Sequence, residues 1–207
     1  MSFRHINIFF VFTLPAFAAS SSVSSVPGIN NFHEVDQQVY RGAQPTDEGF
    51  RYLSQLGVKV VLDLREHDAR SLSEERVVTA DGMRYVNVPM TGMTPPTEAE
   101  TTTILRLLED SAAGPVFVHC KRGADRTGAV IAAYRIDHDR WDNSRALKEA
   151  MSNGMRWLQF RRQKYISTLP VRAAEASNAR PAESPDNAAA NSLDPQAAIS
   201  TSVSARN

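Results

Sequence analysis

The chain reads as an α/β fold: a single domain whose central, mostly parallel sheet is flanked by helices. Three observations predict it. Short apolar, β-prone runs alternate with helix-period segments from residue 30 to residue 169, the pattern of a parallel sheet covered by helices. About 140 residues of that kind suffice for one hydrophobic core. Beyond them, 173–207 is rich in Ala, Ser, Asn and Pro with few large apolar side chains, the composition of a disordered tail.

The elements follow in order. Thr46, Asp47 and Glu48 open a helix that carries Phe50, Leu53 and Leu56, and Gly57 ends it. Val58–Leu64 reads as a central strand, Ser71–Ala80 as a helix and Met83–Val88 as the next strand. Thr97 and Glu100 are spaced as a capping box for a helix over Thr97–Leu108. Gly114-Pro115 turns the chain into a short buried strand at Val116-Phe117-Val118. Three helices close the domain, near 128–137, 143–152 and 155–168. In the last, Trp157, Phe160, Tyr165 and Ile166 supply the apolar face, and Arg161, Arg162 and Lys164 the solvent side. Arg41, Asp63 and Arg65 bound strands and are expected to form structural ion pairs.

The stretch His119-Cys120-Lys121-Arg122-Gly123-Ala124-Asp125-Arg126-Thr127-Gly128 joins a strand to a helix through a loop suited to an anion. Unpaired N–H groups and the positive end of a helix dipole converge there, and Gly123 and Gly128 permit a tight backbone. Lys121, Arg122, Gly123, Ala124 and Gly128 are the expected phosphate-binding positions. A free thiol with a pKa of about 8.5 is mostly protonated at neutral pH, but the helix terminus, the loop amides and Arg126 all favour the Cys120 thiolate. Arg126 can grip two equatorial phosphoryl oxygens while Cys120 attacks phosphorus in line. Thr127 can donate to the sulfur as it leaves, and His119 is expected to order the loop.

The order His-Cys-x5-Arg-Thr-Gly resembles the signature of the protein tyrosine phosphatase superfamily, and the surrounding chain is similar to its compact bacterial dual-specificity branch. Val39-Tyr40-Arg41-Gly42-Ala43-Gln44-Pro45 and Val58–Arg65 extend the likeness, which spans residues 30 to 168. The resemblance implies a thiophosphate enzyme intermediate, no metal and no cofactor. Its implied substrates are phosphotyrosine, phosphoserine or phosphothreonine proteins, or a phosphoinositide or inositol phosphate. Lys121 directly after Cys120 is a feature shared with phosphoinositide-directed relatives. A rhodanese-like sulfurtransferase also attacks with a loop Cys, but its loop closes one residue earlier and lacks Arg-Thr-Gly. A non-catalytic phosphate-binding module is the other alternative, although such modules commonly lose the Cys or the Arg.

One departure concerns the proton donor. Most members of the superfamily carry a general-acid Asp after the strand corresponding to Tyr85–Val88, yet Pro89–Pro96 contains no carboxylate. Glu98 and Glu100 are the next candidates, Glu100 being claimed also by the capping box. Asp125, inside the loop, is the preferred candidate, because some phosphatases with a Lys-Asp-Arg loop carry an Asp there with that proposed role. Its structural alternative is to brace Arg126 or cap the helix.

Arg4 and His5, the apolar run Ile6–Phe17 and the pattern Ala16-Phe17-Ala18 read as a signal peptide over 1–18, too short for the roughly 20 residues of a spanning helix. The expected location is the periplasm or outside the cell, with no stable membrane span after cleavage. A protein bound for an oxidising compartment usually gains from disulfides, so the single Cys in the chain is there for chemistry. The 5 His residues are scattered and form no metal-binding spacing. A formal net charge of +0 gives no basic surplus for nucleic acid, and a monomer is expected.

Overall fold

The computed structural model describes residues 26–170; the expected signal peptide at 1–18 and tail at 173–207 lie outside the described residues. Five strands, β1 (His33–Glu34), β2 (Val39–Ala43), β3 (Val60–Asp63), β4 (Arg84–Asn87) and β5 (Val116–Cys120), form one sheet in the order β1-β2-β5-β3-β4. β2, β5, β3 and β4 pair in parallel, and only the edge strand β1 is antiparallel. This is the expected mostly parallel sheet. β1 has no sequence signal, since two residues are too few for a period-two pattern.

The helices are α1 (Asp47–Leu56), α2 (Ala69–Ala80), α3 (Glu98–Glu109), α4 (Asp125–Asp137), α5 (Asn143–Ser152) and α6 (Phe160–Thr168). Their ends have local causes. Thr46 accepts a hydrogen bond from the Gly49 N–H to start α1, and Gly57, at φ 94°, ends it in the left-handed region that glycine tolerates. Asp68 and Ser71 form a capping box that starts α2 two residues before the position the apolar pattern suggests. Thr97 and Glu100 form the predicted box on α3.

Alternation along the strands sends side chains to two cores. Val61 and Phe117 pack with Phe50 and Leu53 of α1 and Val78 of α2. Val60, Leu62, Val116, Val118 and Cys120 face the other way, onto Ile104 and Leu108 of α3 and Val130, Ile131 and Tyr134 of α4. Behind the second core, Ala129, Ala132 and Ile136 of α4 meet Ala146 and Ala150 of α5 and Ile166 of α6. Helix α4 is thus packed between the sheet and two helices, which fixes its N-terminus beside the C-terminal end of the central strand β5. That end of a parallel sheet is where open α/β folds bind ligands.

The C-terminal helix departs from its predicted form. It begins at Phe160, and the preceding segment is a turn in which Trp157 is 68% exposed; Phe160 itself is 60% exposed, so neither supplies the apolar face. Arg161 and Lys164 lie on the solvent side as expected, but Arg162 is fully buried. The reason is helical spacing: Arg162 stands one turn before Ile166 on the buried stripe. Its guanidinium donates to the carbonyls of Thr91 at 2.8 Å and Gly92 at 2.9 Å, tying the loop after β4 to α6.

Candidate active site

Register places Cys120 opposite Ala43 of β2 and His119 opposite Asp63 of β3, so the loop emerges between two parallel neighbours. Cys120 is 3% exposed. The chain then turns through residues 121–124 into α4, whose N-terminus has no side-chain cap, in contrast to α1, α2, α3 and α5. Its first N–H groups are left for an anion. Burial pushes the Cys120 thiol up, but the Thr127 hydroxyl and N–H, the Arg122 N–H and the Arg126 charge outweigh it and hold the thiol below its ordinary value. The buried Thr127 hydroxyl makes no aligned hydrogen bond elsewhere, which leaves it to the sulfur. Arg126 donates through Nη1 to the carbonyls of Met90 at 3.1 Å and Leu64 at 3.3 Å. Anchored on one side, the guanidinium has its remaining donors for phosphoryl oxygens.

Neither ring nitrogen of His119 hydrogen-bonds the loop that it was expected to order; the residue fixes the end of β5 instead. Its ring is fully buried, stacks on Phe117 at 5.6 Å, and places Nε2 2.8 Å from a Glu74 carboxylate oxygen, an ion pair by distance though not aligned as a hydrogen bond. Burial alone would lower its pKa, yet Glu74 and Asp63 raise it overall. Glu74 also accepts from Gln44 at 2.6 Å and from Arg65, and Arg65 binds Asp63 at 2.7 Å. Tyr85 donates to Asp63 at 2.8 Å. The structural role expected of Asp63 and Arg65 is what the geometry shows. Asp63, Glu74 and His119 bring ligand atoms within 4.8 Å of one another, but the Arg65 cation bonds both carboxylates, a poor neighbour for a metal ion.

Arg41 differs from its expected role. Among the described residues no carboxylate bonds it; buried to 1% exposure, it donates through Nη2 to the Gly123 carbonyl at 2.8 Å. Asn31 donates to the same carbonyl at 3.0 Å and to that of Arg122 at 3.3 Å. Asn31 is itself oriented by His33, whose Nε2 lies 3.1 Å from its Oδ1. In a trans peptide the carbonyl and the following N–H point in opposite directions. Drawing the Arg122 and Gly123 carbonyls outward therefore aims the Gly123 and Ala124 N–H groups into the loop. Gly123 makes the close approach possible: its φ is 66°, and a Cβ there would stand 2.3 Å from the Gly42 carbonyl carbon. Burial pulls Arg41 down to about 10, while Glu149 and then Cys120 favour its charge, so the cation in turn favours an ionised sulfur. Asn31, His33, Glu74 and Tyr85 have no motif that would single them out, and Gln44 lies in the Val39–Pro45 motif with no role assigned from sequence.

Of the other expected site residues, Lys121 is exposed, Arg122 is half-buried and Ala124 is buried. Gly128 belongs to packing: its N–H bonds the Ala124 carbonyl at 2.7 Å, and its Cα faces Ala150 and Met155. Asp125 has both carboxylate oxygens engaged, one by Arg122 at 2.6 Å and the other by the Arg156 N–H at 2.9 Å. That is the geometry of a brace. Glu100 is committed to its capping box, and Glu98 is exposed on the first turn of α3. Beside the loop a cleft of about 250 Å³ is lined by Arg65, Arg70, Lys121 and Arg126 together with Glu66 and Asp68.

Comparison with known proteins agrees with this geometry. Residues 12–168 match the family described as "DSP-PTPase phosphatase fused to NAD+ Kinase". The chain belongs to this dual-specificity branch of the protein tyrosine phosphatase superfamily. It is 34% identical over 125 residues to the dual specificity protein phosphatase TpbA of Pseudomonas aeruginosa, covering 60% of this chain and 55% of that one. It is 29% identical over 137 residues to the inositol diphosphatase DSP3 of Arabidopsis thaliana, covering 63% and 66%. The chain therefore spans little more than half of TpbA. The TpbA crystal structure superposes with a TM-score of 0.60 at 29% identity, over 72% of this chain and 89% of that one. The catalytic domain of the PP-IP phosphatase SIW14 from S. cerevisiae gives 0.60 at 26% identity, over 70% and 89%.

The outer clamp on the loop leads to a measurable expectation. Arg41→Met removes a charge and a donor but keeps the volume of the stem. It should raise the pH at which iodoacetamide alkylates Cys120 half-maximally, because the thiolate is the reactive form and loses a stabilising cation. Hydrolysis of an aryl phosphate should fall by roughly tenfold to a hundredfold as an amide donor loses its aim. An unchanged alkylation profile with unchanged turnover would reduce Arg41 to a packing role.

Proposed function

We propose that the chain is an exported, cysteine-dependent phosphatase that hydrolyses phosphate monoesters or phosphoanhydrides through a thiophosphate enzyme intermediate. The observation that carries this reading is the placement of Cys120 beside the uncapped N-terminus of α4, with the anchored Arg126 and the Thr127 hydroxyl around it. The thiolate attacks phosphorus as the bond to the leaving oxygen breaks. Water then attacks the phosphocysteine, sulfur departs with its electron pair, and inorganic phosphate is released. Arg126 and the loop amides hold the equatorial oxygens in both steps. Export rests on the leader pattern at residues 1–18.

The leaving group narrows the substrate. Pro89–Pro96 holds no carboxylate, and both Asp125 oxygens are occupied. A proton from Asp125 is available only when one of those contacts opens. Leaving groups that depart as stable anions, an aryl oxide or a phosphate, suit such a site better than an alkyl oxide. Phosphotyrosine and the diphosphate of an inositol pyrophosphate both meet this requirement. A TpbA crystal structure is a complex with phosphotyrosine, and DSP3 is named an inositol diphosphatase. Around the cleft, Arg65 is paired with Asp63 and Glu74, and Arg70 with Asp68, which leaves Lys121, Arg126 and the carboxylate of Glu66 to meet a substrate.

Two outcomes are expected. Cys120→Ser should abolish turnover of aryl phosphate while phosphate binding persists, since the hydroxyl is a poor nucleophile but the cradle remains; wild-type turnover in this variant would refute the covalent route. Asp125→Asn separates brace from acid when kcat is measured on aryl, phosphoanhydride and alkyl substrates. As a brace, Asp125 should cost all three classes similarly. A selective loss of roughly 100- to 10,000-fold on the alkyl ester would make Asp125 the proton donor.

A further inference from the structure

The four most exposed large apolar side chains among the described residues are Trp157 at 68%, Met93 at 65%, Phe160 at 60% and Leu158 at 52%. Three of the four lie within residues 157–160, and the fourth is on a loop fastened to the helix that begins there. Trp157 and Phe160 meet edge to face with ring centroids 6.0 Å apart, and Leu158 lies between them in sequence. Met93 follows Gly92, whose carbonyl is held by Arg162 of α6 at 2.9 Å, so the loop after β4 is fastened beside the same turn. Scattered exposed apolar residues need no explanation, but a contiguous group of large ones marks a surface that meets something.

The exposed charged residues of 153–170 are all cationic, and the carboxylate beside them, Asp125, is paired with Arg122. Arg156, Arg161 and Lys164 are exposed, and no ion pair engages them among the described residues. No Asp or Glu occurs between Glu149 and Glu175. Exposed Trp and Phe ringed by unpaired Arg and Lys are the composition of surfaces that lie in a bilayer interface, with rings at the headgroup level and cations against anionic lipid. The patch also sits beside the catalytic loop, since the Arg156 N–H bonds Asp125 at 2.9 Å.

We propose that Met93, Trp157, Leu158 and Phe160, with Arg156, Arg161 and Lys164, form a docking surface for an anionic lipid bilayer that seats the catalytic loop next to the membrane. The cations give attraction at a distance and the aromatic side chains insert. The surface is independent of the phosphatase reading, because it needs no turnover.

The apolar run Ile6–Phe17 can hold a vesicle by itself, so the readout has to be local. The chain has 2 Trp residues, and Trp141→Phe leaves Trp157 as the only reporter. Full-length protein carrying that substitution would be mixed with vesicles of phosphatidylglycerol and phosphatidylcholine containing brominated acyl chains. Trp157 emission should shift to the blue and be quenched, less so in 0.5 M salt (a chosen condition, about the range where screening is strong), and not with phosphatidylcholine alone. Adding Arg161→Gln and Lys164→Gln should weaken this response about 25-fold, roughly fivefold per cation, while hydrolysis of a soluble aryl phosphate stays unchanged. Three results would overturn the proposal: vesicle attachment with Trp157 emission unaltered, equal quenching on zwitterionic vesicles, or a Trp157-dependent dimer by sizing. A blue shift with soluble polyglutamate but not with vesicles would assign the surface to an acidic protein partner instead.

Discussion

The structure depends on one constraint: a short loop must turn its N–H groups inward, around the Cys120 sulfur, whose thiol is held below its ordinary value. Backbone donors do not converge unaided, because each N–H that points in requires the carbonyl of the same peptide to point out, where it needs a partner. Here Arg41 and Asn31 supply partners from behind, and the uncapped end of α4 completes the ring of donors in front. Much of the surrounding fold follows from that need. β2 is the parallel neighbour that brings Arg41 and the bare backbone of Gly42 against the loop, and the segment leading into β1 carries Asn31.

A second layer holds the strand end. His119 lies on the opposite face of β5 from Cys120 and is fixed among Glu74, Asp63 and Phe117. Arg65 bonds both buried carboxylates, and these in turn hold the His119 imidazole above its ordinary value. Arg126 and Arg162 then reach to the loop that follows β4, one to Met90 and the other to Thr91 and Gly92. Two buried or half-buried guanidinium groups thereby set where that loop sits relative to the thiol.

The sequence makes the fold class legible because apolar runs of strand length alternate with capped helical segments, and both the Thr97–Glu100 box and the Gly57 stop are local signals. The chemistry of the loop is legible for the same reason: Cys120, Arg126 and Thr127 are adjacent in the chain. What the sequence hides is whatever depends on distant partners. Asn31 reaches a carbonyl 92 residues away, and Gln44 meets Glu74 at a separation of 30. Arg162 looks like one charge in a basic run until helical phase puts it on the buried stripe with Ile166. Gly128 has the position of a loop glycine but the surroundings of a helix contact. Asp125 shows the limit most clearly, since a braced carboxylate and a proton donor have the same letter in the same place.

The central claim is that Cys120 carries the phosphoryl group. Rapid acid quenching of the enzyme during turnover of a labelled aryl phosphate, followed by peptide mass analysis, tests it directly. The expected result is one phosphate on the peptide containing Cys120, formed in the wild type and absent from Cys120→Ser. Steady turnover with no covalent phosphate on that peptide, or phosphate attached to another residue, would contradict the account.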